Sequence, residues 1–554
     1  MTQLPVINVF KKSKFWLAVS ILVAVLFSLS GFGLSLGDYV IQDDARQHVF
    51  WLQRFGDRHL FPNDLIADYF SSVAPGGYKF VYWLANLLGI EPLVFNKILP
   101  LLLGFGTSVY FFLVTTAIFP VPLAGFCGCL LLNQNLWMLD DLVSGTPRAF
   151  LYLLFLGFIY HLLQQQLLPC LLFIVLQGFF YPQIVLIAAG VLSLNLLTSK
   201  QNRYISLVGL IAAMITVGLY RLQATEFSEV ITVVTARQLP EFQPTGRSAF
   251  FRDRPWHYWL VAKQTGFFPF EWQYFLLCSF GFFLPIMAQF PSVFPLLKEL
   301  NPKAKIIWQI LIASSGWYIL SHLMLFRLHL PGRYSQHTWR ITIALLAGIV
   351  LTVLLHKLMI TIPLSYPGQI MIMAIAICVI LYPTYAVQNY PQRLGYVTAK
   401  SPELYHFLQQ QPKNIMIATL SQEADFIPSF ARRTVLTARE YSIPYHWDYY
   451  GQIRQRTQDL IQAQYSPNSE DLRQVIEQYH IDYWLLDSNA LTPEYLIQND
   501  WLVQFQPETS MAIANLTQPA QLAIRSKIQP CSVFSNTNLH LLDSKCLLAD
   551  EHSN

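Results

Sequence analysis

The strongest constraint on this chain is a recurring apolar run, each close to the ~20 residues that cross a bilayer as a helix. The runs fall at 15–36, 94–117, 121–139, 148–165, 167–181, 183–199, 204–220, 271–290, 305–326, 340–358 and 368–388. They stop at Gln388, and the composition beyond is that of an ordinary soluble polypeptide. The pattern predicts a polytopic α-helical membrane protein of about eleven transmembrane helices. Residues 1–390 form the membrane part, and 391–554 form a soluble domain. Two runs, 167–181 and 183–199, are short and meet at Tyr181-Pro182, where a broken pair is expected. Charged residues make up only 12% of the chain, against about 25% in soluble domains.

Lys11, Lys12 and Lys14 precede the first run as in a signal peptide. The run is too long, however, and no small-x-small cleavage site follows, so it is expected to stay as the first helix. With the N-terminus in the cytoplasm, the cytoplasmic side receives Lys11, Lys12, Lys14, Lys200, Arg203, Lys298, Lys303, Lys305 and Lys357. This predicts an inner-membrane, multi-pass protein with its C-terminal domain extracytoplasmic. The outer side receives loops 37–93, 140–147, 221–270 and 327–339. These hold many charges, contrary to the usual bias, which suggests that the charges have a task.

Several classes are set aside. The net charge of +4 brings no basic tract suited to nucleic acid. No Cys/His set has zinc spacing. Five cysteines, Cys127, Cys129, Cys170, Cys278 and Cys378, lie in apolar runs, and Cys531 and Cys546 suit a disulfide in an oxidising compartment. The spans carry few deep acidic residues for an ion relay, and there is no Walker A motif or inverted repeat.

The outer loops concentrate the chemistry. Asp43-Asp44 stands just after the first span, at the start of a helical pattern over Ala45–Phe55 with Val49, Leu52 and Phe55 on one face. This places the pair near the N-terminus of a surface helix, where acids also serve as caps. Asp140-Asp141 follows the third span and leads into the turn Ser144-Gly145-Thr146-Pro147-Arg148. Both pairs emerge on one face and are able to converge. Paired carboxylates suit general base work or a divalent cation, Mg²⁺ or Mn²⁺. The segment 327–340 holds Arg327, His329, Arg333, His337 and Arg340. Arginine forks clamp phosphate, and the same residues also snorkel to lipid headgroups. Loop 221–270 adds Arg252, Asp253, Arg254, His257 and Lys263 among Trp256, Tyr258 and Trp259, and of these Arg252, Arg254 and His257 are candidate donor or acceptor contacts.

This order of features resembles the GT-C superfamily of integral-membrane glycosyltransferases, which use polyprenyl-phosphate sugars. Asp43-Asp44-Ala45-Arg46 is similar to the D-[DE]-x-R motif in the first outer loop of aminoarabinose-transferase-like members. The resemblance implies that Asp43 is the catalytic acid, with Asp44 beside it and Arg46 and Arg148 as further contacts. It implies a second acidic site at Asp140 or Asp141, and a lipid-phosphate contact at Arg333, supported by Arg327 or His329. The family's surface helices match Ala45–Phe55 and Tyr78–Leu88. A metal is optional in the family, and its ligands here would be Asp43 and Asp141. No W-W-D sequon-reading motif is present, which speaks against an oligosaccharyltransferase role.

In the C-terminal part, Pro402–Gln410, Arg454–Ala463 and Leu472–His480 read as helices. Asn414–Leu420 and Ile481–Asp487 read as strands, giving a small α/β unit. The expected function is transfer of a sugar from a polyprenyl phosphate to a glycan, lipid or protein acceptor at the outer face, amid membrane lipids. The alternative is a transporter or flippase of a lipid-linked saccharide, which needs the arginines but no base.

Overall fold

The computed structural model describes residues 12–549 except 200–201, 223–226, 228–229, 270–277, 363–364, 387–393 and 518–521. Helix α1 (Ser13–Ser35) leads into strand β1 (Val40–Gln42) and helices α2 (Asp43–His48), α3 (Leu65–Val73) and α4 (Gly76–Leu87). The bundle continues with α5 (Pro92–Ile118), α6 (Pro122–Leu136), the short α7 (Asp140–Val143), α8 (Leu151–Leu163), α9 (Leu167–Phe180), α10 (Pro182–Thr198) and α11 (Arg203–Leu222). After a stretch of short helical turns come α12 (Lys305–Leu323), α13 (Gly332–Thr361) and α14 (Tyr366–Ala386).

Among the described residues, five helices are long and apolar enough to cross a membrane: Ser13–Ser35, Pro92–Ile118, Arg203–Leu222, Pro302–Leu323 and Gly332–Thr361. Shorter apolar helices accompany them at 147–163, 167–180, 182–198 and 367–382. The apolar surface left outward along α1 and α11, such as Leu22, Leu26, Ile211 and Met214, is what a helix facing lipid presents. Helix α6 is buried over its whole length. It crosses α13 closely, since a Cβ placed on Gly348 would lie 2.6 Å from the Gly128 nitrogen. Small residues let two backbones approach where lipid supplies no hydrophobic drive.

Two expectations need correction. The run 271–290 is not one continuous spanning helix: 271–277 lie outside the described residues, and the rest is a 3₁₀ turn at Ser279–Phe283 and a single turn at Leu284–Met287. The segment Ala45–Phe55 is not an amphipathic surface helix either. It breaks after His48 into a 3₁₀ turn, Phe50–Phe55, in which Phe50, Trp51 and Leu52 are all buried. Three consecutive buried side chains point in different directions around a helix, so the segment must be covered on several sides. The cover comes from the C-terminal part: the Phe50 ring lies 5.3 Å from that of Tyr441. The second expected surface helix is present as α4, which buries Tyr78 and Tyr82 and leaves Phe80, Trp83 and Leu87 exposed. The broken pair at Tyr181-Pro182 is two helices, α9 and α10, separated by Tyr181.

The C-terminal part opens with β2 (Tyr396–Thr398) and α15 (Pro402–Gln410). It continues through β3 (Met416–Thr419), β4 (Thr434–Val435), α16 (Trp447–Gln464), α17 (Ser469–Tyr479), β5 (Tyr483–Asp487), β6 (Ser532–Ser535) and β7 (Leu539–Asp543). The sheet runs β4-β3-β5-β7-β6, parallel across β4, β3 and β5 and antiparallel at β7 and β6. Cys531 and Cys546 are joined by a disulfide beside it. Strand β2 does not join this sheet; it pairs antiparallel with β1, Val40 opposite Thr398. One buried apolar cluster includes Trp16 and Leu103 from the bundle as well as Tyr405, Ile417 and Tyr449. Packing therefore runs across the compositional break.

Gly348→Ala is expected to lower stability by about 1–3 kcal/mol, because the added methyl meets backbone rather than a movable side chain. Thermal unfolding in detergent measures this, and an unchanged midpoint contradicts the close crossing.

Candidate functional site

The site is built where β1 hands over to α2. Gln42 caps α2, its side chain accepting from the Ala45 N–H at 3.3 Å. The Asp43 N–H donates to the Gly395 carbonyl at 2.8 Å. Gly395 has a φ of +72°, and a Cβ there would lie 3.7 Å from the Asp43 Cβ and 3.8 Å from the Asp140 Cβ. A left-handed glycine thus holds the two acidic segments apart on either side of one backbone.

From the first turn of α2, the two acids find different partners. Asp44 accepts from Arg148 Nη2 at 2.6 Å. Arg148 also lies 3.6 Å from Asp140 and 3.0 Å from Asp141, so one buried guanidinium gathers three carboxylates. Asp141 is held from the other side by Arg340 at 2.5 Å. Arg340 in turn contacts the Tyr152 hydroxyl, which lies 2.9 Å from His337 Nδ1. Asp140 accepts from Lys263 at 2.8 Å. Asp43 pairs instead with Arg46, away from Arg148.

Burial alone would raise the Asp44 carboxyl. Arg148, Lys263, His48 and Arg333 outweigh it and hold Asp44 below the usual carboxylate range. Asp141 is held well below that range, with Arg148 and Arg340 the main cations opposing its burial. Burial pushes His48 down to about 4 and His329 down to about 3, and the positive charge of Arg333 acts in the same direction on both. Both imidazoles are therefore neutral at neutral pH.

Among the described residues, the Arg333 side chain makes no hydrogen bond or ion pair. It nevertheless stands near enough to Asp44, Asp141, His48 and His329 to act on each. The other sequence candidates are not gathered here. Arg327, Arg254 and His257 are exposed, and Arg252 donates to the Ala249 carbonyl at 3.3 Å. Lys263, His48 and Tyr152 complete the cluster without having been assigned from sequence. Lys263 was visible only as one of several charges in an outer loop, and nothing local marked the other two.

The carboxylates do not fit a divalent ion as they stand. Asp141 has one oxygen on Arg148 and the other on Arg340, so the expected pair Asp43 and Asp141 is not a ligand pair. Among the described residues, no group of three or more His, Cys, Asp or Glu is arranged to hold a metal.

No protein-family model and no curated protein matches the chain. Solved structures do. The apo oligosaccharyltransferase of Archaeoglobus fulgidus superposes with a TM-score of 0.52 at 12% identity, over 90% of this chain and 73% of that one. Archaeal oligosaccharyltransferase AglB from the same organism, in complex with an inhibitory peptide and a dolichol-phosphate, gives a TM-score of 0.50 at 11% identity, over 90% and 72%. ArnT from Cupriavidus metallidurans bound to undecaprenyl phosphate gives 0.46 at 12% identity, over 96% and 98%. The chain has the helical fold of the Archaeoglobus fulgidus oligosaccharyltransferase, with five helices among the described residues long and apolar enough to cross a membrane. At these identities the likeness is one of fold.

Arg148→Ala is expected to destabilise the protein by about 3–5 kcal/mol, because it strands buried carboxylates. Lys263→Ala, which removes an exposed partner, should cost under ~1 kcal/mol. Paired melting curves check both, and equal shifts would contradict the assignment of Arg148 as the buried hub.

Proposed function

We propose that the chain transfers a sugar from a polyprenyl-phosphate donor to an acceptor at the outer face of an inner membrane. In this reading the N-terminus is cytoplasmic and the C-terminal α/β part, 391–554, is extracytoplasmic. The observation that carries the reading is the first-loop acidic pair, with Asp44 near Arg333, an arginine whose side chain has no hydrogen bond or ion pair among the described residues, in a GT-C fold.

Asp43 is the base. Its carboxylate is 47% exposed, so an acceptor hydroxyl can reach it, whereas Asp44 is held in its ionised form by Arg148. Asp43 takes the proton as the acceptor oxygen bonds to the anomeric carbon. The bond from that carbon to the phosphate oxygen breaks, and the polyprenyl phosphate leaves with one more negative charge. Arg333, with Lys263 at the rim, offsets that charge where it develops. His48 and His329 are neutral and add no competing cation. Asp140 keeps Lys263 in place, and Asp141 with Arg340 forms the floor. Lipid tails of the donor fit beside the outward apolar faces of the bundle.

Asp43→Asn should lower the transfer rate by about 100-fold or more without changing the melting point. Arg333→Ala should lower kcat/KM for the donor by about 10- to 1000-fold. Both are read with a panel of labelled polyprenyl-phosphate sugars and purified protein. An active Asp43→Asn variant would remove the base assignment. Movement of the lipid-linked sugar across vesicles without product would favour the transport reading.

A further inference from the structure

Behind Asp43 lies a second set of charges that the proposed reaction does not use. Arg46, on the same helix, pairs with Asp43 and points into the C-terminal part. There it meets Glu440 at 2.8 Å and Asp425 at 3.7 Å, and its guanidinium stacks 4.8 Å from the centre of the Phe426 ring. Glu440 is also held by Arg247 at 3.1 Å, from the outer segment before α12, and Gln47 donates to its backbone carbonyl at 3.0 Å. The Glu440 N–H donates to Asp425 at 2.8 Å. The side chains of Arg46, Asp425 and Glu440 are 7%, 6% and 3% exposed. Burying such a set is costly unless each charge is paired, and here three regions far apart in sequence supply the pairs.

We propose that Glu440 and Asp425 are positioning residues: through Arg46 they orient Asp43. The inference rests on the reading of Asp43 as the base. A guanidinium paired with Asp43 alone would be free to draw that carboxylate away from an acceptor hydroxyl. Two further carboxylates on Arg46 share that attraction. The C-terminal part thereby positions the base without touching substrate.

Glu440 also makes the device sensitive to pH. Burial pushes its carboxyl up to about 7, with Asp43 and Asp425 adding to the rise and Arg247 and Arg46 opposing it. The other groups facing the cluster are the Arg439 guanidinium and the Tyr441 hydroxyl, which burial keeps neutral, both near Asp425. Above this pH, Glu440 is ionised and shares Arg46. As pH falls through it, Glu440 is neutralised, Arg46 draws on Asp43 more strongly, and the rate falls. On stability the sign is opposite: a raised carboxyl favours the folded state at low pH, and this advantage is lost as pH rises through about 7.

The test compares wild type, Glu440→Gln, Asp425→Asn and Lys413→Ala by steady-state transfer against pH. It adds hydrogen exchange over residues 40–50, which needs no turnover. Glu440→Gln is expected to lose about 10- to 100-fold in kcat with donor KM within about threefold, to lack the acidic step near neutral pH, and to exchange faster over α2. Asp425→Asn should act in the same direction and serves as the readout if Glu440→Gln does not fold. Lys413 pairs with Asp57 at 2.5 Å in an exposed contact between the same two parts, and its loss should leave kcat unchanged. Wild-type kcat, pH profile and exchange in both folded acid variants would overturn the proposal. So would an equal loss in Lys413→Ala, which would indicate general loosening. If wild type transfers no sugar from any donor, the glycosyl-transfer reading fails. Faster exchange in Glu440→Gln would then still support the clamp, and unchanged exchange would overturn it.

Discussion

Arg148 is the interaction on which the rest of the site depends. A guanidinium is hard to bury, and a lone buried carboxylate is no easier. Bringing Asp44, Asp140 and Asp141 to one guanidinium makes their burial mutual. It also ties together three pieces of chain that have little else in common: the first turn of α2, the short helix α7, and the turn that enters α8. Once Asp141 is committed to Arg148, its remaining oxygen is available to Arg340, and this pins α13 against the same point.

Helix α13 then aligns the cations. Arg333, His337 and Arg340 stand at i, i+4 and i+7, so they share one helix face. The deeper end, Arg340, is consumed by Asp141 and Tyr152. The end nearer the loops, Arg333, is left without a protein partner among the described residues. A gradient from satisfied to unsatisfied charge along one helix is what a site needs if an anion is to enter from one side only. The neutral imidazoles of His48 and His329 fit that electrostatics, since protonating either beside Arg333 would be unfavourable.

Much of the fold was legible in the sequence because transfer to lipid leaves few choices. Apolar runs such as Phe15–Leu36 and 340–358 have to be helices when no water is available to backbone amides. The run at 271–290 misled, because apolar character alone does not distinguish a regular span from short turns packed on α13. Ala45–Phe55 misled for a related reason. Its periodicity suggested a surface, but Tyr441 and its neighbours cover it, and no local pattern reports a partner almost 400 residues away. In the C-terminal part, the helix Pro402–Gln410 and strands around Ile417 and Leu485 followed from local pattern. Strands β6 and β7 were missed because they gain their strand character from pairing, β7 on β5 and β6 on β7.

The sequence by itself determined that this is a helical membrane protein with charged loops, and it marked the two acidic pairs and the 327–340 cations as residues with a purpose. Local chemistry suffices for that, since a charge beside an apolar run needs a reason wherever it ends up. Only the tertiary structure decided which charges serve each other. Asp44 and Asp141 are partners of Arg148, Arg333 is left open among the described residues, and Arg46 belongs to Glu440 as much as to Asp43. Ion pairing acts over a few ångströms in space and is indifferent to separation along the chain. The division between structural and reactive charge is therefore written in the packing.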